Sequence, residues 1–154
     1  MSGQVIARGV YEGLSWEVTA RRHSPERLIP KPGCLNTRIV VTDGERTVNG
    51  GGGSGYLPSP DRLLRVTTSQ APEGPYVVMA TVHPSVARVE LLVMGGEVIP
   101  MPVYDDASFP EARFAVCLLP RDIRLDCVRV CDARGIERER FDLVRRRTIR
   151  NSGI

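Results

Sequence analysis

Tyr76-Val77-Val78-Met79-Ala80-Thr81-Val82, then His83-Pro84-Ser85, then Val86-Ala87-Arg88-Val89-Glu90-Leu91-Leu92-Val93-Met94 with Gly95-Gly96 behind it, decides the fold of this chain. Both apolar runs are rich in β-branched residues and too short for long helices. A proline turn separates them. Gly95-Gly96 accepts the positive φ of a tight hairpin, so the chain folds back into Glu97 to Tyr104. Pro100 and Pro102 lack backbone donors, which places that returning strand at a sheet edge.

The same punctuation extends in both directions. Asp43-Gly44 turns a strand over Cys34 to Thr42 towards Thr47-Val48, and Asp132-Ala133-Arg134-Gly135 joins Ile123 to Cys131 with Ile136 to Leu143. Val5 to Tyr11 and Leu14 to Ala20 meet near Glu12-Gly13. In the second of these, Leu14, Trp16 and Val18 alternate with Ser15, Glu17 and Thr19, a strand with one wet face. Phe114 to Leu119 is apolar on both faces and reads as central, and Leu63 to Thr68 is a further strand. The alternating Glu137-Arg138-Glu139-Arg140 reads as charge that blunts a sheet edge.

Between the strands the sequence predicts loops. Arg21 to Gly33 holds at most one helical turn, capped by Ser24 and stopped by Pro30 and Pro32. Asn49 to Gly55 reads as a glycine-rich loop leading into a link through Pro58 and Pro60, and Ala71 to Pro75 as another loop. The expected fold is all-β: a two-layer antiparallel β-sandwich, Ig-like in the broad sense, with a closed β-barrel as the alternative. One domain over 1–143 carries a basic C-terminal tail over 144–154.

At 154 residues, 42% hydrophobic and 25% charged, the chain can bury a core without metal or disulfide staples. Its net charge of +3 does not by itself argue for nucleic acid. Lys31 is the only lysine. GC-rich coding accounts for such a bias, and arginine also suits bidentate contacts to carboxylate and phosphate. Neither a secretory leader nor a spanning apolar run is visible, so the chain reads as soluble and cytoplasmic. Cys34, Cys117, Cys127 and Cys131 then read as reduced structural thiols. Cys127 and Cys131 share a strand face about 13 Å apart, too far for a disulfide.

Ser85-Val86-Ala87-Arg88-Val89-Glu90, Phe114-Ala115-Val116, Leu119-Pro120 and Asp132-Ala133-Arg134-Gly135 follow one another in an order that resembles small uncharacterised actinobacterial β-sandwich proteins. The resemblance covers residues 76–143 and departs at Gly95-Gly96, where Asp-Gly is expected. It implies a fold and no activity.

Motifs for chemistry are sparse. Gly50, Gly52 and Gly55 have G-x-G-x-x-G spacing, but Tyr56-Leu57-Pro58-Ser59-Pro60 starts no helix, so a dinucleotide site is not expected. Gly-Gly-Gly-Gly-Ser within it is also a flexible-linker composition. Lys31 lies in Pro30-Lys31-Pro32, outside any Walker loop. His23 and His83 have no zinc-type spacing to each other or to the cysteines. Asp105-Asp106 has the carboxylates for a hard cation but reads as a solvated turn. The sequence therefore assigns no catalytic, cofactor-binding or metal residue.

The favoured reading is a non-catalytic protein-interaction module that binds another protein, or itself, through a sheet edge or its loops. Its expected contact residues are Arg21, Arg22, Tyr56, Arg145, Arg146 and Arg147. Nucleic acid would engage only the basic tail, which lacks aromatics for base stacking. Two alternatives stand beside it. One is a structural subunit of a viral or secretion assembly with the tail as an arm. The other is an enzyme whose site joins Cys117, His83 and the acidic loop.

Overall fold

Short, β-branched runs and positive-φ turns give a chain of strands, and a computed structural model describes residues 3–22 and 34–150 of it. The described residues form β1 (Gln4–Tyr11), β2 (Leu14–Arg22), β3 (Cys34–Asp43), β4 (Arg46–Tyr56), β5 (Leu64–Ser69), β6 (Tyr76–Val82) and β7 (Arg88–Val93). They continue through β8 (Val98–Met101), β9 (Val103–Tyr104), β10 (Arg113–Leu119), β11 (Leu125–Cys131), β12 (Glu137–Asp142) and β13 (Arg147–Arg150). No helix occurs among them, so none is long and apolar enough to cross a membrane. The helical turn expected at Ser24, together with His23 and Lys31, lies outside the described residues.

The strands make three antiparallel sheets, in the orders β1-β2-β3-β4, β5-β6-β10-β9 and β13-β12-β11-β7-β8. None closes into a barrel, and the open sandwich expected from the sequence is present. It has one layer more than the expected two. Val77, Met79, Phe114 and Val116 pack with Val18, Leu35, Ile39 and Val41 of the first sheet. Val78, Ala80, Val82 and Ala115, on the opposite face of the same strands, pack with Val89, Leu91, Val128 and Val130 of the third. Strand alternation thus gives the middle sheet two buried faces, which is why β6 and β10 read as nearly continuous apolar runs.

The hairpins sit where positive-φ residues permit them. Gly95 and Gly96, at φ 103 and 105, join β7 to β8. Pro100 lies in β8, the last strand of the third sheet, and Pro102 is the step from there to β9 at the end of the middle sheet. The expected edge placement of both prolines holds.

Three sequence expectations are corrected. The glycine run is no loop: it is most of β4, paired with β3 from Asp43↔Arg46 to Cys34↔Tyr56. Its glycines serve a close approach, because a Cβ on Gly51 would lie 2.7 Å from Ser69 Cβ and one on Gly55 2.5 Å from Arg65 Cδ. The expected tail from 144 is a turn and β13, paired to β12 from Asp142↔Arg147 to Glu139↔Arg150. β12 is therefore not an edge, and Glu139 is not a solvated charge. It is 1% exposed.

Candidate functional site

A docking site for an extended chain requires an edge strand with free backbone groups and nothing that blocks pairing. The strands at the sheet ends are β1, β4, β5, β9, β13 and β8. β1 is bent by a register shift between Val5 and Ala7. β4 is glycine-rich and lies against β5. Pro100 and Pro102 blunt β8 and β9. β13 is short and begins and ends with arginine. β5, Leu-Arg-Val-Thr-Thr-Ser, carries no proline, glycine or bulge along its pairing with β6.

The orientation of the β5 edge follows from one hydrogen bond. His83 N donates to Leu63 O at 2.9 Å, so Arg65, Thr67 and Ser69 exchange bonds with β6. Leu64, Val66 and Thr68 then turn their amides to the open side. Glu139 closes the beginning of this edge from within the fold. Its Oε1 accepts from Leu63 N at 3.1 Å and its Oε2 from Leu64 N at 3.0 Å. Beyond it opens a cleft of about 270 Å³ over Leu64, Arg65 and Val66. Tyr56, Leu57 and Pro58 form one wall, and Phe141 and Thr148 the other.

Arg65 is the unusual group of this cleft. Its stem crosses the bare face of Gly55, and its Nη2 reaches Leu35 O at 3.4 Å and Thr81 Oγ1 at 3.5 Å. Its Nε is buried without an acceptor. Burial holds the guanidinium below its ordinary pKa, opposed only by the neighbouring Cys34 thiol, and no carboxylate among the described residues offsets it. A half-buried cation with a buried, unsatisfied Nε costs stability. Arg65→Met is accordingly expected to leave the thermal midpoint unchanged or raise it. A loss above about 1 kcal/mol would show that the fold itself relies on Arg65.

Tyr56 and Arg146, both expected from sequence, come together at this groove. Tyr56 is an exposed wall residue. Arg146 stacks over Phe141 with its Cζ 5.7 Å from the ring centre, and its Nη1 donates to Thr68 Oγ1 at 3.4 Å. Arg145 and Arg147 sit in the same hairpin, where Asp142 Oδ1 accepts from Arg145 N at 2.9 Å. Arg22, the last residue of β2, is engaged elsewhere: it donates to Glu111 and Ser108 O and covers Phe109, and Arg21 precedes it in the strand. The Arg22 hydrogen bond holds the Glu111 carboxyl below its usual range. Sequence reasoning missed Arg65 and Glu139. A lone charge inside the otherwise uncharged Leu63 to Thr68 run was the available signal for the first; nothing local marked the second.

The residues of the thiol-enzyme alternative are not brought together. Cys117 lies opposite Val78, whereas His83 follows Val82 at the far end of the β6–β10 pair. His83 Nδ1 instead meets Ser85 Oγ at 2.7 Å. Asp105 binds Arg113 at 2.8 Å, and Asp106 accepts from Ser108 N at 2.8 Å. Cys127 and Cys131 are buried on the outer face of the third sheet, near an ion-pair chain in which Arg129 meets Glu90 at 2.9 Å and Glu137 at 3.8 Å. Burial raises all three thiols, Cys117 to about 11. At about pH 8 only some one in a thousand Cys117 side chains is then thiolate, against roughly a quarter for a free cysteine. Alkylation of Cys117 by iodoacetamide in the native protein is expected to run at least a hundredfold slower than in the unfolded chain, as followed by peptide mass.

Comparisons with protein-family models, curated proteins and solved structures return no match to this chain.

Proposed function

We propose that this chain is a non-catalytic protein-interaction module that pairs an extended segment of a partner with the open edge of β5. The observation that supports this reading is the middle of the β5 edge. Among the described residues β5 is the sheet-end strand without proline, glycine, bulge or a terminal arginine pair, and beyond the Leu64 amide held by Glu139 its outward Val66 lines a groove with an apolar wall. Main-chain bonds would supply affinity and the walls selectivity.

Val66→Pro is the test. The ring removes the outward amide at the middle of the groove, while β5 keeps its bonds to β6 through Arg65 and Thr67. Partners recovered by cross-linking with the parent protein are purified and titrated against both forms. The expected result is at least a tenfold loss of affinity with little change in the thermal midpoint. Unchanged binding would remove the β5 edge as the site. Native mass spectrometry of the parent distinguishes a separate partner from a second copy of this chain.

A further inference from the structure

We infer that the segment docking on β5 is acidic and seats a carboxylate on Arg65, next to an apolar residue that meets Phe141. The inference rests on the docking role of the groove and adds the chemistry of its occupant. Charge around the groove is unbalanced. Arg62, Arg65, Arg146 and Arg150 face it or border it, against Asp61 and Glu139. Those two carboxylates are already engaged, Asp61 by Arg150 at 4.0 Å and Glu139 by the Leu63 and Leu64 amides. Among the described residues Arg65 has none, and its Nε has no acceptor. A guanidinium with an unused Nε donor is best satisfied by a carboxylate oxygen, a charge-assisted acceptor.

Strand geometry gives the rest of the pattern. On β5 the Arg65 side chain faces the first sheet, and Val66 faces the third with Phe141. A strand laid beside β5 alternates its side chains in the same way. An acidic residue directed at Arg65 is therefore followed or preceded immediately by a residue directed at Val66 and Phe141, and that neighbour is apolar. Phosphate shares the charge but lacks the adjacent apolar group.

Selection from a random displayed-peptide library against the full chain tests this, with Val66→Pro, Arg65→Met and Arg65→Lys in parallel. The expected result is enrichment of peptides with Asp or Glu beside an apolar residue. Such peptides, resynthesised, should bind Arg65→Met about ten- to a hundredfold more weakly, and Arg65→Lys less weakly than that. Arg65→Lys keeps the charge and provides the readout if Arg65→Met does not fold. Enriched peptides without acidic residues, lost on Val66→Pro but not on Arg65→Met, would overturn the acidic partner and leave the docking edge standing. No enrichment, or binding indifferent to Val66→Pro, would overturn both. Stabilisation by inorganic phosphate that depends on Arg65, with no acidic peptide selected, would identify a small-anion site and overturn the inference.

Discussion

Glu139→Ala is expected to lose about 3 kcal/mol of stability in chemical denaturation, roughly 10 °C in thermal midpoint. The carboxylate is 1% exposed and receives the Leu63 and Leu64 amides, at 3.1 and 3.0 Å, from the neighbouring layer. Alanine leaves one buried and one part-buried donor without acceptors, the costly way to break a hydrogen bond. It also removes one of the two carboxylates beside Arg150, whose Nε lies 3.8 Å from Glu139 and whose Nη2 lies 4.0 Å from Asp61. Glu139→Gln keeps one accepting oxygen and turns an NH₂ towards the other amide, so it should fall between the parent and Glu139→Ala. Equal stability of parent and Glu139→Ala would mean that water replaces the carboxylate, and that β5 does not depend on the third sheet for its start.

Two adjacent glycines should respond oppositely. A Cβ on Gly51 would stand 2.6 Å from Ser69 Oγ and 2.7 Å from Ser69 Cβ, and the second atom cannot swing away. Gly51→Val is therefore expected to push β4 off β5 at a cost of about 2–3 kcal/mol. A Cβ on Gly50 meets only Ile39 O at 3.6 Å, an ordinary contact. Gly50→Ala should be neutral, or stabilising by about 0.5–1 kcal/mol, because alanine has less freedom to lose in a strand than glycine. Urea midpoints of the two variants settle the comparison. Equal effects would mean that β4 is not held against β5 as described.

These glycines also mark where the sequence stops being legible. Hairpins at Gly95-Gly96 and Asp132 to Gly135, the edge prolines and the apolar runs of β6 and β10 could be read because turn chemistry and strand alternation are local. The glycine run misleads for the opposite reason. Its composition signals freedom, yet its cause is a neighbour that follows β4 by way of the Pro58–Pro60 link. Glu139 reads like its charged neighbours because the pattern Glu-Arg-Glu-Arg says nothing about which face β13 and β5 would cover. The third layer was half visible: Phe114 to Leu119 is apolar on both faces, which already asks for a cover on each side. Of the candidate site, Tyr56 and Arg146 were named from sequence, but the edge that unites them exists only once three sheets are stacked.

The sharing of one sheet between two cores has a consequence for how the protein comes apart. Detaching either outer sheet strips water-excluding cover from β6 and β10 and leaves their apolar side chains facing solvent. Half-opened forms therefore carry a flat, sticky β surface, the sort that recruits other chains into aggregates. Melting in pieces is penalised on both sides of the middle sheet. The architecture therefore favours all-or-none unfolding, and the state exposed to misassembly is the one in which that sheet is uncovered.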